Sequence, residues 1–204
     1  MRRKQDVKYR MIWLVFVMFL VTAGCAKKNK ELVTVSGPRS DLSSYECFPG
    51  NDHVFYDTNV KEMIANMDEG KTFAVCFGFS ECSWCREAMP LINDAAKQAG
   101  FEVGYIDTRK NPAWESNMDI DDYDLLVDRL GEYIEFDQEG LRHLYTPSLF
   151  VIRNGQAVGY HEGTVETHNA NVRQMSQEEK AILSEIYREM FDTMKNGKDA
   201  KTKQ

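Results

Sequence analysis

From Lys71 to Ser80 the chain reads KTFAVCFGFS, an almost unbroken apolar run. A strand of this kind has no water-facing side, so it belongs in the middle of a sheet covered on both faces. The flanking segments supply that cover. Thr58 predicts the cap of a helix that carries Val60, Ile64 and Met67 on one side and is stopped by Gly70. Ser83 to Ala99 reads as a second helix with Gly100 just beyond its end. Further strands are expected at His53 to Tyr56 and at Phe101 to Asp107. Leu149 to Arg153 and Gln156 to Tyr160, joined by Asn154-Gly155, carry a hairpin signal. Ser176-Gln177-Glu178-Glu179 is a capping box that opens a long helix ended by Gly197. Its expected buried face is Ile182, Leu183, Ile186, Tyr187, Met190, Phe191 and Met194. The order β-α-β-α-β, a long insertion, then β-β-α is that of an α/β protein, with parallel strands first and an antiparallel hairpin last.

The 204 residues have room for one domain with appendages. With 43% hydrophobic and 28% charged residues, neither a disordered chain nor a multi-span membrane protein is expected. A net charge of −7 makes nucleic acid a poor partner. The appendages are unlike the domain. Arg2, Arg3, Lys4, Lys8 and Arg10 precede an apolar run from Met11 to Val21, and Thr22-Ala23-Gly24-Cys25 follows. A basic start, an apolar stretch of about 7–15 residues and small residues before a cleavage point make a secretory signal. The run falls short of the roughly 20 residues of a membrane-spanning helix. Residues 26–50 mix charge with Ser, Gly and Pro and read as a tether.

Cys82-Ser83-Trp84-Cys85 sits where the central strand gives way to a helix. Two intervening residues put both cysteines on one helical turn, close enough for a Cys82–Cys85 disulfide. The first lies at the helix start, where free N–H groups and the positive dipole end favour a thiolate. The second is shielded within the first turn and placed to resolve a mixed disulfide. Zinc would need four ligands, and beyond this pair and Cys25 only Cys47 in the tether, Cys76 and scattered His53, His143, His161 and His168 remain, so no metal is assigned. Two thiolates also suit Cu(I), although no Met or His cluster adjoins them in sequence. A structural CxxC would close a loop too small to constrain the unfolded chain much. Redox chemistry is the expectation.

From about residue 52 to 195 the sequence resembles a thioredoxin-fold protein. Cys82-Ser83-Trp84-Cys85 ends the apolar strand, and Pro90 falls where that family kinks its active-site helix. Thr146-Pro147 precedes the Ser148-to-Ile152 strand and matches the family's cis-proline; Gly163 follows at the family spacing. The lead-in Phe77-Gly78-Phe79-Ser80-Glu81-Cys82 is similar to thioredoxin-like bacteriocin-transport accessory proteins. Val21-Thr22-Ala23-Gly24-Cys25 resembles the lipobox of bacterial lipoproteins, with Cys25 lipidated; Thr22 replaces the usual aliphatic residue. These resemblances imply a mixed sheet flanked by helices, catalytic Cys82 and Cys85, and substrate binding by Trp84, Thr146 and Pro147. They imply no cofactor. The implied partners are protein disulfides or thiols and a membrane-bound redox partner, met by a lipid-anchored monomer on the extracytoplasmic side of the cell membrane. The chain departs from the family in carrying Cys76 and Val103 where thioredoxins have a buried carboxylate and its lysine.

The expected organisation is a signal over 1–24, a tether over 25–51, the domain over 52–197 with an insertion at about 109–143, and a disordered tail over 198–204. Within that insertion, residues 115–139 hold ten acidic residues against Arg129 alone. Leu126, Leu130, Tyr133 and Ile134 share one helical side there, so an amphipathic helix with a solvated acidic face is expected, and a docking surface for a basic partner is the rival. The spacing at Asp119 and Asp121 does not fit a calcium loop. The histidines are expected at the surface or in turns, Cys76 in the core and Cys47 idle. A tethered thiol–disulfide oxidoreductase is the leading expectation; the alternative is a non-enzymatic accessory that holds a secretion or transport partner.

Overall fold

The computed structural model of the chain describes residues 35–48, 52–109 and 120–196. Strand β2, Phe73–Gly78, is buried along its whole length. Its two faces go to different helix layers, because successive side chains of a strand point to opposite sides. Ala74 and Cys76 face α2, Ser83–Ala99, and α4, Gln177–Asn196, in a layer with Met89, Ile92, Leu183, Tyr187 and Phe191. Phe73, Val75 and Phe77 face α1, Val60–Asp68, and α3, Ile120–Leu130, with Met63, Ile64, Leu126 and Leu130. The strands lie in the order β1-β3-β2-β4-β5. β1, Phe55–Asp57, and β3, Val103–Asp107, run parallel with β2. β4, Ser148–Arg153, is antiparallel to β2, and β5, Gln156–Glu162, returns along it as the hairpin. This is the thioredoxin fold.

Local chemistry sets most boundaries. Asn59, one residue after the expected Thr58, caps α1 by accepting from the Glu62 amide at 2.9 Å. Gly100 ends α2 at φ 79°, a left-handed turn that glycine adopts without a Cβ clash. Ser176 and Glu179 exchange backbone amides at 3.2 and 2.8 Å, which completes the capping box. Ile182 departs from the expected face of α4. It is 50% exposed while its neighbour Leu183 is buried, because one residue step turns a helix by about 100°.

Part of the expected tether is core. Leu42, Tyr45 and Phe48 are buried in the α2/α4 layer, and Arg39 bridges antiparallel to Tyr56. The Ser40 amide donates to Phe55 O at 3.1 Å and the Asp57 amide to Pro38 O at 2.9 Å, so this arm covers the open edge of β1. At Gly37 a Cβ would sit 1.8 Å from Asp57 O, so only glycine permits the approach. The apolar three-residue spacing from Leu42 to Phe48 outweighs the polar residues between. Two of the histidines expected at the surface or in turns are also inside. His53 packs edge-on against Phe48. His168 bridges Thr164 Oγ1 at 2.8 Å and Arg173 O at 2.9 Å.

The signal over 1–24, Cys25, the first part of the expected tether, residues 49–51 and 110–119, and the tail over 198–204 lie outside the described residues. Among the described residues no helix is long and apolar enough to cross a membrane. Leu42 separates a packed arm from a loose tether. Leu42→Ala is expected to lower unfolding stability by about 2–5 kcal/mol in a urea titration, against nearly nothing for a tether position.

Candidate active site

β2 ends at Gly78, at one end of the sheet, and a tight turn follows in which the Cys82 amide donates to Phe79 O at 3.2 Å. Cys82 is the N-cap of α2, and its Sγ accepts the Cys85 amide at 3.1 Å. Opposite, the Thr146–Pro147 bond is cis. Thr146 O lies 3.5 Å and Thr146 Oγ1 3.7 Å from Cys82 Sγ. Pro147 is buried, and its carbonyl accepts from Gly163 at 2.7 Å, which joins this turn to the end of the hairpin.

The two cysteines have opposite environments. The Cys82 thiol is lowered to about 7: the hydrogen bond with the Cys85 side chain contributes most, and the amides of Cys85 and Trp84 and the Thr146 hydroxyl add to it against burial. The Cys85 thiol is fully buried and pushed well above its ordinary value, by burial first and then by Cys82. Glu81 and Arg86, the charged residues that flank the pair, are not among the leading causes. Arg86 instead donates to Ser80 O at 2.8 Å and holds the turn. Both cysteines are free thiols here.

Cys82 and the half-buried Trp84 line one groove of about 1040 Å³, together with Thr146. The insertion supplies its far wall. Tyr123 of α3 accepts the Leu144 amide at 3.0 Å and donates to Arg142 O at 2.7 Å, tying the helix to the segment that leads into Thr146. Arg109 lies 3.7 Å above the Phe79 ring at the same mouth. The insertion's Leu126, Leu130 and Ile134 are buried, whereas Asp121, Asp124, Asp128, Glu132, Glu135 and Glu139 face water. Asp122 pairs with Lys61 at 3.0 Å.

Cys76 is buried with its Sγ 3.5 Å from Met89 Sδ, and burial drives its thiol far up, so it is a core residue. Val103 is buried in the same layer, but the β3 residue in register with Cys76 is Tyr105. Tyr105, Tyr45 and the groove residues Arg109 and Tyr123 escaped the sequence reading. Only the aromatic spacing of Tyr45 and Phe48 hinted at them. Among the described residues no three His, Cys, Asp or Glu side chains gather as metal ligands.

The mixed sheet, the Cys82-to-Cys85 turn at a helix N-terminus and the cis-proline facing it define a protein of the thioredoxin-fold class. No family model matches the chain. No curated protein matches it either. Among 34 solved chains that match is a proposed oxidoreductase with a thioredoxin fold, at 14% identity and a TM-score of 0.40, covering 65% of this chain and 94% of that one. The fold assignment stands on the sheet order and connections themselves.

Only a thiolate is nucleophilic, so the site's asymmetry is measurable. Iodoacetamide labelling followed by mass spectrometry is expected to modify Cys82 ahead of Cys85 and to accelerate as pH rises through about 7. Labelling of Cys82 that rises only near 9.0, the ordinary thiol value, would contradict the assigned environment.

Proposed function

We propose that the protein is a thiol–disulfide oxidoreductase acting on protein substrates on the extracytoplasmic side of a membrane, to which lipid on Cys25 anchors it. The observation that carries the reading is the split pair: Cys82, lowered to about 7, opens on a groove, and Cys85, fully buried, sits one helical turn behind it. A thiolate near ambient pH is a fast attacking group and a good leaving group.

In the reducing direction the Cys82 thiolate attacks one sulfur of a substrate disulfide. That S–S bond breaks, the first substrate sulfur leaves with the electron pair and takes a proton, and a Cys82–substrate disulfide remains. Cys85 then loses its proton and attacks Cys82 Sγ. The second substrate sulfur departs and is protonated, leaving a Cys82–Cys85 disulfide: two electrons have passed to the substrate. The reverse sequence oxidises a substrate dithiol. Thr146 and Pro147 border the attacking sulfur and would align an extended substrate strand, while Trp84 offers it an apolar rim. A membrane-bound dithiol or disulfide partner would return the pair to its starting state, with the protein working as a monomer.

A second reading has its own observation. Ile120 and Leu141, each 65% exposed, and Tyr145, 44% exposed, line the same groove, as a surface that holds a partner without chemistry would require. The two readings part at Cys82. Cys85→Ser is expected to accumulate mixed disulfides with substrates on a non-reducing gel, and Cys82→Ala to lose both trapping and exchange. Unchanged cellular function in Cys82→Ala would favour the holding module. For the anchor, palmitate labelling is expected in the full chain and absent in Cys25→Ser; equal labelling of both would remove the lipid from the proposal.

A further inference from the structure

Tyr45 from the N-terminal arm and Tyr105 from β3 bring their hydroxyls to 3.0 Å inside the α2/α4 layer. Their rings meet edge to face at 6.4 Å, and Phe48 and Phe55 pack around them. The pair faces the same gap over Gly78 as Cys85. A Cβ built on Gly78 would stand 3.3 Å from Cys85 Sγ, 3.4 Å from Tyr45 Oη and 3.7 Å from Tyr105 Cε2. The missing side chain of Gly78 leaves a gap that the Cys85 thiol and the Tyr45 hydroxyl both border.

Two hydroxyls carry two protons, and the contact between them uses one. Among the described residues neither hydroxyl has a second partner, so when Tyr105 donates to Tyr45 the Tyr45 O–H is left in an apolar layer, where an unmatched donor is costly. A thiol is a weak acceptor and a thiolate a strong, charge-assisted one. A donor that can reach Cys85 across that gap therefore does little for the dithiol form and much for the anion through which Cys85 must pass. We propose that Tyr45, oriented by Tyr105, is a positioning residue that donates to the Cys85 thiolate while the mixed disulfide resolves. This rests on the oxidoreductase reading. The hydroxyl stays protonated throughout: Cys85 gives its proton to the departing substrate sulfur by way of solvent, its sulfur bonds to Cys82 Sγ, and the Cys82–substrate bond breaks. The other titratable groups around Cys85 are Cys82 on its own helix, Cys76 on β2, Tyr105 on β3 with Asp107 beyond it, and Tyr187 on α4. Of the tyrosine hydroxyls, Tyr45 is the one that reaches the Gly78 gap.

The two thiol steps can be timed apart with 5,5′-dithiobis(2-nitrobenzoate) on full-length reduced protein carrying Cys25→Ser and Cys47→Ser. Attack by Cys82 releases one nitrothiobenzoate, and attack by Cys85 on the resulting mixed disulfide releases a second. Tyr45→Phe, which keeps the ring, is expected to leave the first phase within about twofold of the parent. Its second phase should slow about tenfold at pH 7, with its pH midpoint displaced upward by about one unit, the equivalent shift. Tyr105→Phe should move the midpoint in the same direction by less. An unchanged second phase and midpoint in Tyr45→Phe, or a displacement produced by Tyr187→Phe in its place, overturns the proposal. A parent protein that releases a single nitrothiobenzoate removes the oxidoreductase reading itself.

Discussion

Burial of β2 on both faces is the constraint from which the rest of the molecule follows. With no polar side to turn to water, the strand requires a helix layer above and below, and a neighbour on each side to satisfy its amides and carbonyls. β3 and β4 fill those places, one parallel and one antiparallel. The chain can leave this enclosed strand only at its end, where the backbone must turn and new N–H donors become free. That is where Cys82 sits, as the cap of α2. The cis Thr146–Pro147 turn arrives at the same end because β4 is antiparallel to β2, so its start lies beside the finish of β2.

The site exploits a difference between neighbours on one helical turn. Cys82 collects donors from the Cys85 amide and the Thr146 hydroxyl, which favour its anion. Cys85 is enclosed by the layer of Met89, Tyr105 and Tyr187 and is held neutral by desolvation. An apolar enclosure shields the Cys85 thiol and also obstructs its ionisation. The proposed donation from Tyr45, oriented by Tyr105, would relieve that conflict from within the core. The N-terminal arm thus closes the sheet edge and brings the Tyr45 hydroxyl to the gap that Cys85 borders.

Much of this was legible in the residues. The unbroken run of β2, the Asn154-Gly155 turn and the capping box at Ser176 are local signals, and local signals place elements well. The placement of Cys82 and Cys85 on one helical turn is also local, and the spacing around Thr146-Pro147 marks the opposing turn. Contacts between distant segments left weaker traces. Leu42, Tyr45 and Phe48 lie in a stretch rich in Ser, Gly and Pro, and nothing nearby shows that β1 needs an edge partner. His53 is buried because that same arm folds over it. Tyr105 looks like any aromatic in a buried strand until Tyr45, sixty residues earlier, meets it. The wall of the groove depends on Tyr123 reaching the carbonyl of Arg142, a contact set by how the insertion folds back rather than by its acidic composition.

The central claim is that Cys82 and Cys85 interconvert between dithiol and disulfide. It is tested most directly by equilibrating the full-length protein in graded dithiothreitol or glutathione buffers, quenching with acid, and measuring the Cys82–Cys85 state by peptide mass spectrometry. The expected result is a single two-electron transition, tenfold in equilibrium constant per about 30 mV, with a midpoint in the range of about −270 to −120 mV spanned by thioredoxin-like enzymes. Thiols that stay free across the whole range, or oxidation that joins either cysteine to Cys47 instead, would contradict it.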